Sequence, residues 1–288
     1  MTLPNKMQEQ KVASRQALAG LFDYAGLFPP AELTMQETVA SFKQHQESTH
    51  AWMLNTNVVP ANRLEEFASV AESLGDNALP AKLSVLSSEW DQAQPLIEQF
   101  RDQHSQLASI VSVETRQLDA AAKIANEIER VYIEIPCSDD VASSIAAVKQ
   151  AGASAKIRTG GLTADTFPST QQVAEFVIAC CQNDVPFKAT AGLHHPLAKV
   201  RPTCSNADAP LAPMHGFANL LAAVALAEQN ADLPDVQQSL SLSEEEAITS
   251  FSRPEFWRDA QAIRSRFHSI GSCSIDEPVD DLRALGWL

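Results

Sequence analysis

Eight times along this chain a short run of β-type residues gives way to an amphipathic stretch, with no break in composition and no long linker between units. The runs predict strands at Leu21–Phe28, Ala51–Val59, Ala81–Leu86, Ala108–Glu114, Val131–Pro136, Ala155–Thr159, Val185–Leu193 and Ser269–Ser274. Helices fill the gaps: Leu64, Phe67, Val70 and Leu74 share one helical face, as do Val141, Ile145 and Val148, and Val173, Phe176, Val177 and Cys180. Pro60, Ser138 to Asp140, and Ser169 supply helix starts. Eight such units within 288 residues specify one domain, residues 1–288, of the α/β class: a (β/α)8 TIM barrel. An open doubly wound sheet would carry a glycine-rich phosphate turn after its first strand. Here that strand runs into Ala25-Gly26-Leu27-Phe28-Pro29-Pro30 instead.

The seventh gap is long. Residues 196–268 form a helical insertion between strands 7 and 8, with helices expected at His215 to Gln229 and Pro254 to Phe267, and they read as an active-site lid.

Charge and cysteine content exclude several functions. A net charge of −15 disfavours a nucleic-acid or anionic-membrane surface, where cations supply the affinity. The longest apolar run, Leu220 to Ala227, is too short to cross a bilayer, and Met1 to Gln16 lacks the order of a signal peptide, so a cytoplasmic protein is expected. Five cysteines without CxxC spacing suggest reduced thiols and no structural zinc. No bound cofactor is expected, and a homo-oligomer is compatible with the composition.

Against that acidic background the sixth and seventh strands are cationic. Side chains alternate faces along a strand, so Lys156 and Arg158 share one face while Ala155 and Ile157 share the other; Lys188 and Thr190 are likewise set apart from Phe187 and Ala189. If the apolar face meets the helices, the charged face points into the barrel, where an unpaired cation is costly. Parity also turns Tyr132 and Glu134 inward. In such barrels the reactive groups stand at the C-terminal ends of strands. The candidates there are Lys188, Lys156 and Glu134 for catalysis, and Arg158, His194, His195, Thr190, Asn55, Glu114 and Asp23 for substrate binding. Gly160 and Gly161 would let an anion approach backbone amides, or simply form a tight turn. Two lysines so close would repel each other, and together with burial this lowers a lysine pKa towards a reactive amine. The bland alternative is an ion-pair network that merely fills the barrel. His45, His50 and His104 read as solvated helix-end residues.

Lys188-Ala189-Thr190-Ala191-Gly192 resembles the Lys-Ala-Ser-Gly-Gly strand of deoxyribose-phosphate aldolases, Schiff-base lyases on a TIM barrel, and Ile157-Arg158-Thr159-Gly160 is similar to their Val-Lys-Thr segment. The resemblance spans about fifteen residues. It implies a class I aldolase, but the position of the imine-forming lysine is Arg158, which cannot form one, so the resemblance leaves imine chemistry to Lys188. The chain as a whole resembles bacterial proteins that share its Asp23 to Pro30 and Phe187 to Pro196 segments, a likeness that implies no function.

The expected function is a lyase or aldolase-like enzyme acting on a small carbonyl compound with a carboxylate or phosphate. Lys188 would be nucleophile or enolate stabiliser, Lys156 its pKa-lowering neighbour and Glu134 a general acid or base. Two readings stand beside it: a metal-assisted hydrolase or isomerase using Glu134, His194 and His215, and a non-catalytic anion-binding protein.

Overall fold

The computed structural model describes residues 15–75, 81–137, 140–204, 208–251 and 260–288. Its strands and helices alternate as β1 (Phe22–Tyr24), α1 (Met35–Glu47), β2 (Leu54–Pro60), α2 (Leu64–Ser73), β3 (Ala81–Leu86), α3 (Trp90–His104), β4 (Ala108–Thr115), α4 (Ala121–Ala125), β5 (Arg130–Ile135), α5 (Val141–Gln150), β6 (Ser154–Arg158), α6 (Thr170–Gln182) and β7 (Phe187–Thr190). A hairpin follows, β8 (Lys199–Pro202) with β9 (Leu211–Met214), then α7 (Phe217–Glu228), α8 (Leu233–Leu240), α9 (Glu244–Phe251), α10 (Ala260–Arg266), β10 (Phe267–Ser272) and α11 (Asp276–Ala284). Parallel pairing in the order β1-β10-β7-β6-β5-β4-β3-β2 closes a barrel, the TIM topology expected from the alternation.

The outward faces of the strands carry the apolar load. Phe187 stacks on Phe267 with ring centroids 4.9 Å apart and meets Phe176 edge-on at 5.3 Å, while Phe22 meets Phe217 at 5.4 Å. Such contacts fix β7, β10 and β1 against α6 and α7. Helix starts follow the sequence signals where they are described: Ser169 caps α6 through a capping box with Gln172. The signal at Ser138 and Asp139, and the first part of the helix expected at Pro254, lie outside the described residues.

Three expectations need correction. The 196–268 segment is not purely helical, because an antiparallel hairpin opens it. Nor is α7 a lid: ten of its twelve residues are buried, so it belongs to the helix layer around the barrel. Finally, His45 is buried against the ring of Tyr24, and His104 is largely covered beside Glu65 and Glu72.

Candidate active site

Strand register brings the charged residues together. Lys156 stands opposite Lys188 on β7 and opposite Glu134 on β5. Glu114, the seventh residue of β4, reaches across the barrel and separates the two ammonium groups: its Oε2 accepts from Lys156 Nζ at 2.8 Å and its Oε1 from Lys188 Nζ at 2.6 Å. Lys188 also donates to Asp23 Oδ2 at 2.5 Å, and Lys156 to Glu134 Oε2 at 3.0 Å. Arg116, one residue past β4, closes the series on Glu134 Oε1. The result is an alternating chain, Asp23–Lys188–Glu114–Lys156–Glu134–Arg116, whose formal charges cancel.

Buried charges persist only when their remaining lone pairs and protons are satisfied. Asp23 accepts further from Asn55 Nδ2 at 2.7 Å, Thr56 Oγ1 at 2.7 Å and Ser269 Oγ at 2.5 Å. Glu114 accepts from Ser84 Oγ at 2.7 Å, which in turn accepts from Ser112. Burial alone would raise the Glu114 carboxyl, but Lys156 and Lys188 outweigh it and hold the group well below the usual carboxylate range. Glu134 is lowered too, as Lys156 and Arg116 overcome its burial.

Lys188 contradicts the expected direction. Burial would depress it, but Asp23 and Glu114 prevail, and its ammonium is held above the ordinary lysine range. The like charge of Lys156 does not reach it unscreened, since Glu114 lies between them. Tyr132, directed inward as parity requires, places its ring centroid 5.3 Å from the same Nζ, and its hydroxyl lies 2.9 Å from His268 Nδ1. Burial pushes the Tyr132 phenol up to about 12 and His268 down to about 4.

This ion-pair network opens on one side into a cavity of about 490 Å3. The lining comes from strand ends and the loops beyond them, with Glu114, Lys156 and Lys188 flanked by Arg158, Thr190, His194 and Cys273, and with an apolar wall that includes Phe28, Val58, Leu86 and Phe167. Cysteine and histidine meet at its rim: Cys273 Sγ is 3.9 Å and Glu277 Oε2 3.4 Å from His194 Nδ1. Burial opposes the charge on His194, but Cys273 and Glu277 prevail and lift it to about 9.

Of the residues singled out from sequence, Lys156, Lys188, Glu114, Arg158, Thr190, His194 and Gly161 line this cavity. The others have different roles. Asp23 and Asn55 form the support beneath Lys188 rather than a substrate contact. Glu134 faces an adjoining cavity and touches this site through Lys156. His195 is turned onto Asp281, 2.6 Å away, and lies outside the lining. Gly160 serves packing: a Cβ there would sit 2.6 Å from the Phe167 ring and 2.9 Å from Gly192 Cα. His215 is bound to the Pro168 carbonyl at 2.7 Å and is lowered by burial. It does not join Glu134 and His194, and among the described residues no group of three or more His, Cys, Asp or Glu side chains could hold a metal ion.

No family model matches the chain, and no curated protein does. Among solved structures it is similar to Xanthomonas albilineans dihydropteroate synthase in complex with indole-2-carboxylic acid and 6-chloroguanine, at 15% identity over 94% of this chain and 93% of that one, with a TM-score of 0.41. A likeness of that size carries nothing about chemistry, and the barrel rests on its own strand order.

Sequence reasoning missed Arg116 and Glu277. Arg116 had a signal, since it follows Glu114 by two positions and therefore shares its inward parity. Glu277 had none, because it reaches His194 from α11, more than eighty positions along the chain.

Proposed function

We propose that this chain is a lyase, aldolase-like in its chemistry, acting on a small carbonyl compound that bears a carboxylate or phosphate. The observation that carries this reading is the convergence of Lys156, Lys188 and Glu114 on one cavity whose rim holds the cations Arg158 and His194. A barrel interior is ordinarily filled with Val, Ile and Leu, so charges that border a cavity have a use beyond filling.

The looser pairing of Lys156, with carboxylates at 2.8 and 3.0 Å, favours it over Lys188 as the amine. Lys188 is fixed between two carboxylates at 2.5 and 2.6 Å and keeps its proton; it serves as a permanent positive charge beside the reacting carbon. Lys156 has Glu134 at 3.0 Å to receive its proton. The free amine adds to the carbonyl carbon, one of its protons and the proton on Glu134 pass to the former carbonyl oxygen, and that oxygen leaves as water to yield a protonated imine. Glu134 then accepts the proton of the substrate hydroxyl as the adjacent carbon–carbon bond breaks, its electrons passing into the iminium. Protonation and hydrolysis restore Lys156. Arg158 holds the anionic group throughout.

Borohydride reduction in the presence of phosphorylated and carboxylated aldehydes and ketones, followed by peptide mass analysis, tests this. The expected result is a reduced adduct on Lys156 that is absent from Lys156→Arg. Turnover without an adduct on any lysine would eliminate the imine, and ligand binding without turnover across the panel would leave an anion-binding protein.

A further inference from the structure

Arg116 and Arg158 border a second cavity, of about 440 Å3, on the far side of Glu134. Both arginines line both cavities, whereas Lys156 and Lys188 line only the first. Their strands flank β5 in the barrel, so their backbone roots stand about 10 Å apart, two strand spacings, with Glu134 rising between them. Long side chains can meet a small anion across that span.

Neither guanidinium is used up. Arg116 places Nε and Nη2 on a single oxygen of Glu134, which leaves Nη1 without a partner among the described residues, and its side chain is 77% exposed. Arg158 has only a 3.5 Å contact from Nη1 to the Gly160 carbonyl and, among the described residues, no carboxylate within ion-pair distance. A guanidinium has five N–H donors in a planar fork, suited to phosphate or carboxylate oxygens. Asp165 is the other charged group on the lining, and Gln172 is engaged with the Cys137 carbonyl at 3.0 Å. Ile135, Pro136, Cys137, Thr166, Phe167 and Pro168 complete the lining.

We propose that the second cavity is the subsite for the anionic end of the substrate, a terminal phosphate or carboxylate held between Arg116 and Arg158. This rests on the anionic carbonyl substrate of the preceding section and narrows its class. Lys156 and Arg158 are two residues apart on one strand face, about 7 Å along β6. The carbonyl and the anion are therefore several bonds apart, which favours a chain terminated by phosphate or carboxylate over a 2-oxo acid, where the two are adjacent.

Inorganic phosphate and malonate, titrated by calorimetry into the full chain, test the subsite without any need for turnover. Binding of at least one is expected, weakened ten-fold or more in Arg116→Gln and in Arg158→Gln, and unchanged in Arg63→Gln, whose partner is Glu66 on α2. Arg158 has no ion pair among the described residues, so its variant keeps the network intact, and a urea titration checks that it folds. Failure of both anions to bind the parent protein, or equal binding in the double Arg116→Gln/Arg158→Gln variant, would overturn the proposal. Loss of binding in these variants without any borohydride adduct in the parent would leave the subsite standing and remove the imine.

Discussion

Lys156 and Lys188 are in register on adjacent strands, yet Glu114 gives each its own oxygen, at 2.8 and 2.6 Å. The carboxylate turns a repulsive pair into an alternating chain. Removing its charge leaves two buried ammonium groups facing a neutral amide. Glu114→Gln should lose about 3–5 kcal/mol of stability, the cost of breaking a buried pair from one side, read from the midpoint of urea unfolding. A loss under about 1 kcal/mol would mean that water already relieves the two cations.

The two lysines should separate by experiment. Lys188→Met strips Glu114 and Asp23 of a cation in the least exposed part of the network, so its main effect should be on stability, about 3–5 kcal/mol. Lys156→Met should abolish the borohydride adduct, which Lys188→Met at a temperature where it is folded should retain. The opposite pattern, with adduct lost only in Lys188→Met, would return the amine role to Lys188.

Stability should fall on the alkaline side through one identified contact. The folded value of His194 is raised to about 9, above an unfolded value of about 6.5. Its contribution is therefore complete below pH 6.5 and is lost as the pH climbs to about 9. The full shift corresponds to about 3 kcal/mol, and Glu277, whose side chain is 55% exposed, keeps the realised figure nearer about 1 kcal/mol. His194→Gln should flatten the stability profile between pH 6.5 and 9 in chemical denaturation; an unchanged slope would exclude the pair as its source.

In acid the sign reverses. Glu114 has a depressed folded value, so its contribution is complete above its unfolded value of about 4.3 and fades as the pH drops further. Acid unfolding should therefore become shallower below pH 4 in Glu114→Gln than in the parent, measured by circular dichroism.

Gly192→Ala should be disruptive beyond its size. Gly192 has φ +74°, and a Cβ there would sit 2.9 Å from the Phe167 ring and 3.0 Å from Gly160 Cα. Left-handed strain and overpacking together cost about 2–4 kcal/mol. Phe167 borders both cavities, so phosphate binding should weaken alongside the melting temperature. A variant as stable as the parent would show that the two loops can part freely.

Strand alternation made the barrel legible, and parity placed Glu134, Lys156, Arg158, Lys188 and Thr190 on the correct face. It failed at places where the chain departs from regular alternation. The pairing of β1 with β2 shifts between Phe22 and Tyr24, bringing Asn55 and Thr56 onto Asp23 as supports. His195 and the hairpin lie beyond β7, where no period exists to read.

Local order along the chain determined the fold class and which side chains point to the axis, because hydrophobic period and strand geometry are properties of neighbouring residues. Only closure of the barrel decided the electrostatics. Glu114 is 42 positions from Lys156 and 74 from Lys188, so the sequence shows two lysines that repel, while the folded chain inserts a carboxylate between them and reverses the sign of the Lys188 shift. A pKa is set by whatever lies within a few ångströms, and across a barrel those neighbours are chosen by register, not by spacing.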